Sequence, residues 1–180
     1  IRDSTKLSRG FGELVDVGLL DSAAVRFFGG QASGCGPIAS AFEDGSDLVR
    51  PVERPDTIVR SLSIGSPADG GYAIRQARDS GAAILGVPDE ATVESIRLLA
   101  ETEGILTETA GGVTLAALRR ALAEGHIRRD EETVLVITGH GLKTLDVLAA
   151  DATASLPEPI APSFDAFETW WGSTEGEVAA

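Results

Sequence analysis

The chain has 180 residues and a formal net charge of -13, with 43% hydrophobic and 24% charged residues. These values predict one globular domain with an aliphatic core, and the negative charge argues against nucleic-acid binding, which needs clustered lysine and arginine. The single cysteine, Cys35, excludes an internal disulfide. Because no apolar run is long enough for a membrane span and the first residues lack a signal-peptide core, we expect a cytoplasmic protein with no membrane partner.

In chain order, the first half predicts a helix over 6–20, a strand over 24–31, a helix over 33–45 and a loop over 46–57. A short helix capped by Asp56 or Thr57 and running through Ile64 follows, and then a helix over 72–80. The first helix follows from apolar residues at three- and four-residue spacing and closes near Gly18. Pro37 falls in the first turn of its helix, where a missing N–H costs nothing, and Gly45 lies just past the end.

The second half predicts a strand over 82–87, a helix over 89–103 with Asp89 as N-cap, an extended piece over 105–112, a helix over 113–125 and a strand over 133–139. The strands are almost wholly apolar and alternate with helices. This pattern is typical of an α/β fold with three layers, in which a mainly parallel sheet carries helices on both faces.

The composition changes after residue 150. Residues 151–180 are rich in proline and acidic residues, and they hold an aromatic cluster consisting of Phe164, Phe167, Trp170 and Trp171. We expect an extended tail that packs on its own domain or docks on a partner subunit, because large apolar rings would otherwise stay in water. The predicted boundary therefore separates a domain over 1–150 from this tail.

Glycine-rich loops are the best candidates for a ligand site. In parallel α/β sheets, ligands bind outside the carboxyl ends of the strands, and the loops at 29–36, 108–112 and 138–141 follow or lie close to predicted strand ends. A fourth such loop, at 64–71, joins two helices. The hydroxyl of Thr138 can donate and accept, so it could pair with a neutral ring nitrogen of a ligand; it could equally satisfy the first turn of the following helix.

Three other residues have weaker claims. His140 and His126 are the only histidines, so we predict no metal site, and a structural role for His140. Cys35, near a helix N-terminus, is either an activated nucleophile or, as we prefer, a buried inert thiol. Glu108 is either a functional carboxylate or an ordinary surface or capping residue.

Several segments resemble the C-terminal half of threonine synthases: RGFGELVDVGLLD, GGQASGCGPIASAFEDG, IGSPADG, TETAGG and VLVITGHGLKT, in order within residues 6–146. These enzymes belong to the fold type II, tryptophan synthase β-like family, so the resemblance implies the C-terminal part of that family's large domain. It also implies pyridoxal 5'-phosphate as cofactor, an amino-acid substrate, and conversion of O-phosphohomoserine and water to threonine and phosphate.

The resemblance also implies a cofactor site. Thr138 would face the pyridine nitrogen, with Gly139 beside it. The segment Gly65, Ser66, Pro67 and Ala68 would lie against the cofactor, and Glu108 would belong to the same site. Ser66 and Thr109 stand where the family usually has Asn and Pro, which leaves the substrate open.

The family's Schiff-base lysine is absent, so we expect no catalytic residue in this chain. Only Lys6 and Lys143 are present, and neither has the family setting; Asp3 stands where an Asn of the phosphate loop is expected. The chain also has no Met, which we interpret as a fragment, a processed product or a split subunit. The resemblance thus implies an N-terminal half, as a separate chain or cleaved product, in a homo- or hetero-oligomer.

Two kinds of alternative remain. The chain could belong to another enzyme of the same superfamily, such as a cysteate synthase, a threonine dehydratase or a β- or γ-replacement enzyme of secondary metabolism. It could also be a noncatalytic binding or regulatory module that uses the tail as a docking peptide.

Overall fold

The computed structural model describes residues 2–152 and 159–174, and the chain divides into two compact units, Ile1–Val147 and Leu148–Ala180. The helices and strands are α1 (Arg2–Asp16), β1 (Gly29–Ala32), α2 (Pro37–Glu43), α3 (Gly70–Asp79), β2 (Ile84–Val87), α4 (Asp89–Glu103), α5 (Thr109–Ala123), α6 (Leu145–Ala152) and α7 (Phe164–Thr174). Short 3-10 turns occur at Ser33–Cys35, Arg60–Leu62 and Gly141–Thr144. Within the described ranges, no helix combines the length and apolarity that a membrane crossing requires.

The centre of the first unit is a parallel pair of strands, β1 and β2, in which Gly29 pairs with Ile84 and Ala32 with Val87. Alternate β2 side chains face opposite sides of the sheet. Ile84 packs in a cluster with residues of α2 and α3, whereas Leu85 and Val87 pack in a second cluster with residues of α5. The α/β prediction, with a parallel sheet between two layers of helices, is confirmed.

Polar contacts fix the start of α2 against β1. Pro37 occupies the first turn of the helix as expected. The buried Gln31 side chain accepts hydrogen bonds from the backbone N–H groups of Ile38 and Ala39, both at 2.9 Å. Gln31 therefore satisfies two amide groups that the start of a helix leaves without an internal partner.

The predicted helix over 57–64 is wrong, since only a single turn at Arg60–Leu62 is helical. The reason lies in Asp89, whose carboxylate accepts from Thr57 Oγ1 at 2.5 Å and from the Ile58 N–H at 2.9 Å. The N-cap of α4 is Pro88, without a side-chain hydrogen bond. Asp89 thus ties the Thr57 side chain and the Ile58 backbone to α4 instead of capping its own helix.

Two predicted extended segments also differ from the structure. Helix α5 already begins at Thr109, because the amides of Gly111 and Gly112 donate to the Glu108 carbonyl. In the described part of the chain, residues 132–138 form no strand with a neighbour, and Val134 and Val136 are 83% and 52% exposed. The apolar pattern there predicted a strand, but no hydrogen-bonding partner strand accompanies it.

The second unit contains α7, so the predicted tail is not extended throughout. Phe167 stacks on Trp171 at a centroid distance of 6.0 Å and lies 6.2 Å from Trp170. Residues 153–158 and 175–180 of the predicted tail fall outside the described residues. The role of the tail and the boundary at residue 150 stay predictions.

Candidate functional site

The turn before α5 and the glycine loop at 138–141 form one structure. The Gly141 N–H donates to the Leu106 carbonyl at 3.0 Å, and the Glu108 N–H donates to the Gly139 carbonyl at 3.4 Å. Thr107 and His140 form an antiparallel bridge between these contacts. The fold therefore joins the two segments TETAGG and TGHG, which are well separated in the sequence.

Gly139 is a position that only glycine fits. Its φ of +75° lies in the left-handed region, which costs residues with a Cβ atom. A Cβ atom there would also lie 2.1 Å from Glu108 Oε1 and 2.2 Å from Glu108 Cδ. The Glu108 side chain thus packs directly on the backbone of the loop, next to Thr138.

Thr138 is exposed, and no hydrogen bond to its side chain is present within residues 6–149. The alternative expectation, that Thr138 satisfies the next helical turn, is not met. His140 does so instead: its Nδ1 accepts from the Leu142 N–H at 3.2 Å at the start of the turn Gly141–Thr144. The Thr138 hydroxyl can therefore donate to or accept from a ligand.

Glu108 is neither a surface residue nor a side-chain cap. It is 9% exposed and occupies the N-cap position of α5 without a side-chain cap bond. The ammonium group of Lys143 lies 3.8 Å from Glu108 Oε2, with side chains 66% and 12% exposed respectively. A buried carboxylate therefore faces a cation that lies mostly in solvent.

The first residue of α5 carries an unsatisfied group. Thr109 is fully buried, and its hydroxyl has no hydrogen-bond partner among the described residues. A buried hydroxyl without a partner costs about 1–3 kcal/mol. The Thr109 hydroxyl is therefore an uncompensated polar group in the interior, out of reach of a ligand.

The segment at 65–68 has different surroundings. The Gly65 carbonyl accepts from the Val52 N–H at 2.9 Å, and a Cβ atom at Gly65 would lie 2.0 Å from the Val52 carbonyl oxygen. Ser66 and Ala68 are exposed. The predicted place of these residues beside Thr138 stays a prediction.

One ion pair connects the approaches to these segments. Arg60 precedes the 65–68 segment, and its Nη2 donates to Asp146 Oδ2 at 2.7 Å, just after the TGHGLK motif. Both side chains are more than half exposed, so the pair contributes little stability. It does place the two stretches of chain near each other.

Neither Cys35 nor Lys6 lies in surroundings that would activate it as a nucleophile. Cys35 is buried, and this burial raises the pKa of its thiol, so the inert alternative fits the structure. Lys6 lies exposed on α1.

The sequence did not identify Leu106 and Thr107 as residues that hold the loop at 138–141. Their partners, Gly141 and His140, are distant in the chain, and no spacing rule connects them.

Comparison with known proteins gives three findings. The model of the family described as "Pyridoxal-phosphate dependent enzyme" matches residues 5–139. The threonine synthase of Methanocaldococcus jannaschii is 38% identical over 152 residues, covering 84% of this chain and 36% of that protein. The threonine synthase of Methanosarcina acetivorans is 36% identical over 139 residues, covering 77% and 34% respectively.

A solved structure agrees on the fold. The threonine synthase of Escherichia coli matches with a TM-score of 0.55 and 21% identity, covering 74% of this chain and 30% of that one. The chain thus spans about one third of the length of the relatives it matches.

Proposed function

Because the chain belongs to the family of pyridoxal-phosphate dependent enzymes, we propose that it forms the C-terminal part of a threonine synthase-like lyase. The proposed reaction converts O-phosphohomoserine and water to threonine and phosphate. One observation carries the proposal: the TETAGG and TGHG segments interlock and leave the Thr138 hydroxyl exposed. Its relatives with 38% and 36% identity are threonine synthases.

The residues at this site fit the family's cofactor, pyridoxal 5'-phosphate. When bound, the cofactor supplies an electron sink for the chemistry at the substrate's carbon atoms. An exposed hydroxyl without an internal partner suits a pyridine nitrogen, since it can donate to that nitrogen without protonating it. We therefore assign Thr138 to the ring nitrogen, with Gly139 beside it.

The remaining predicted residues complete the proposed site. Gly65, Ser66 and Ala68 would line the face of the cofactor, and the Arg60–Asp146 contact supports their approach to the TGHG loop. Glu108 would belong to the same site, because its side chain packs against Gly139 of the loop.

Catalysis needs a lysine that this chain does not offer. Lys143 lies beside Glu108, and Lys6 is the only other lysine. We propose that a complementary N-terminal half, as a separate chain or a cleaved product, supplies the lysine and the phosphate loop. The segment at 132–138 supports this, because in the described part of the chain it pairs with no strand, and an unpaired apolar segment can pair with a strand of another chain. We also propose that the chain works in the cytoplasm as part of a homo- or hetero-oligomer.

An absorbance experiment tests the proposal. The purified chain is mixed with pyridoxal phosphate, alone and with a candidate N-terminal half, and the visible band of a lysine-bound cofactor is recorded. We expect the band, and phosphate release from O-phosphohomoserine, only in the mixture. A fast reaction with the 180-residue chain alone would contradict the proposed division of labour.

A matched pair of variants connects the band to the site. Thr138→Ala should weaken cofactor binding in the mixture, whereas Thr169→Ala, a threonine of α7 in the second unit, should not. Equal behaviour of the two variants would remove Thr138 from the proposed site.

Ser66 and Thr109 favour a second candidate, another replacement or dehydratase enzyme of the superfamily, because they differ from the family's usual Asn and Pro. A panel that includes phosphoserine, serine and threonine separates these activities in the reconstituted enzyme. If the neighbouring reading frames encode no lysine-bearing half, and no mixture binds the cofactor, the noncatalytic module becomes the better reading.

A further inference from the structure

We infer that Glu108 and Lys143 are a positioning pair, which holds the loop at 138–141 so that the Thr138 hydroxyl faces the cofactor. This inference rests on the proposed function, and it concerns how the site is held rather than which groups bind. Its basis is the juxtaposition of a buried carboxylate, a left-handed glycine and a single nearby ammonium group.

Glu108 contacts the loop at its tightest point. Gly139 adopts a φ of +75°, and a Cβ atom there would overlap Oε1 and Cδ of Glu108. The carboxylate therefore fills the space that a side chain at 139 would need. Displacing it would free the peptide units on either side of Gly139, and Thr138 is the residue immediately before.

Lys143 provides the charge that keeps the carboxylate in place. Its ammonium group lies 3.8 Å from Oε2, while Oε1 is the atom nearest to the ideal Cβ of Gly139. The two carboxylate oxygens thus face different parts of the same motif. Because a buried carboxylate is costly without a countercharge, Lys143 stabilises this orientation of Glu108.

The backbone supports the pair from both sides. The Glu108 N–H donates to the Gly139 carbonyl at 3.4 Å, and the Gly141 N–H donates to the Leu106 carbonyl at 3.0 Å. Thr107 Oγ1 also donates to the Gly139 carbonyl at 3.4 Å. Three of these contacts are long, between 3.4 and 3.8 Å, so the loop depends on several of them together.

Hydrogen exchange on the full chain tests the pair without any cofactor. The amides of Glu108 and Gly141 report the two backbone contacts. We expect Lys143→Gln and Glu108→Gln each to accelerate exchange at these amides about two- to five-fold, the range for a partly exposed ion pair. The double variant should show little further change, because both substitutions remove one interaction.

The chain offers a matched control, because it has only one other lysine. Lys6→Gln changes the net charge by the same amount and lies on α1, so it should leave exchange at both amides unchanged. Lys143→Arg should keep the slow exchange of the parent. Equal exchange in the parent and Lys143→Gln would overturn the inference.

A second measurement separates this inference from the proposed function. In the mixture with the N-terminal half, Lys143→Gln should weaken binding of pyridoxal phosphate by a few-fold and shift its absorbance in the same direction as Thr138→Ala. If the parent mixture binds the cofactor and Lys143→Gln binds it equally well, the positioning role fails. If the parent mixture binds none, the proposed function fails.

Discussion

Gly112 lies in the first turns of α5, where that helix packs against α4. A Cβ atom at Gly112 would lie 2.7 Å from the Thr92 carbonyl oxygen and 2.7 Å from Ile96 Cγ1. We expect Gly112→Ala to lower the free energy of unfolding by about 1–3 kcal/mol, because a backbone atom must shift to make room. Urea denaturation monitored by circular dichroism measures the change.

Gly12 provides the control, because a Cβ atom at this α1 position meets nothing within 4 Å. Gly12→Ala should leave stability unchanged or raise it by up to about 1 kcal/mol through helix propensity. A similar loss in both variants would show that the α4–α5 contact is not the cause.

Cys35 is buried, and its thiol pKa is raised by that burial. Since the thiolate is the reactive form, we expect the folded chain to react with a thiol reagent at least an order of magnitude more slowly than the urea-unfolded chain. Labelling kinetics followed by mass spectrometry measure this ratio. Equal rates would mean that the thiol opens readily to solvent.

At the level of elements, Arg120 of α5 connects three parts of the fold. Its Nη1 donates to the Gly86 carbonyl of β2 at 2.6 Å, and it forms ion pairs with Glu43 of α2 and Glu124, at 3.0 and 2.7 Å. We expect Arg120→Leu to lower the free energy of unfolding at pH 7 by about 1–2 kcal/mol, because the Gly86 carbonyl loses its charged donor. Chemical denaturation measures the loss.

This loss should depend on pH. The hydrogen bond from Arg120 holds the pKa of Glu124 below its ordinary value of 4.5. The corresponding stability is therefore present above that value and disappears as the pH falls through the lowered pKa. The gap between the parent and Arg120→Leu should narrow below about pH 4.5, and a constant gap would contradict the role of Glu124.

Arg119→Leu is the neighbouring control. Arg119 lies on the same helix, about half exposed, 3.6 Å from Glu94. An exposed ion pair contributes about 0–1 kcal/mol. We expect a loss smaller than that of Arg120→Leu at pH 7.

The sequence predicted the elements whose cause is local. Pro37 and Gly45 mark the ends of α2, and the apolar spacing of α4 and α5 is sufficient to identify helices. It did not predict the loss of the helix at 57–64, because Asp89 acts from the next element. The strand predicted over 133–139 is absent for a related reason. A strand needs a neighbouring strand, and the local pattern of apolar residues does not show whether one is present.

At the candidate site, too, the sequence indicated some residues and gave no sign of others. The sequence singled out Thr138 and Gly139 at the end of a predicted strand that the structure does not form, and their place in a cofactor site stays a prediction. The pairing of Glu108 with Lys143 was not predictable, because it depends on a backbone bridge between distant segments. Long-range hydrogen bonds of this kind leave no periodic signal in a single sequence.

At the level of the whole molecule, the unpaired segment at 132–138 allows a test of association with the proposed N-terminal half. Val134 is 83% exposed, so Val134→Lys should change the stability of the chain by less than about 0.5 kcal/mol. If the segment pairs with the proposed N-terminal half, the same change should weaken association at least ten-fold, as isothermal titration calorimetry would measure.

Leu48→Lys is the matched control, because Leu48 is 71% exposed in the loop after α2. It adds the same charge at a comparable exposure and should leave association unchanged. Equal weakening by the two variants would point to overall charge rather than to the segment.

The parallel pairing of β1 with β2 also has a consequence during synthesis. Gly29 pairs with Ile84, so about fifty residues must leave the ribosome between the two strands, which takes several seconds at about 5–20 residues per second. Throughout that interval the nascent β1 has no β2 beside it. We expect β1 to stay accessible to protease in nascent chains that end before Ile84 and to become protected once β2 has emerged, as limited proteolysis of stalled nascent chains would measure.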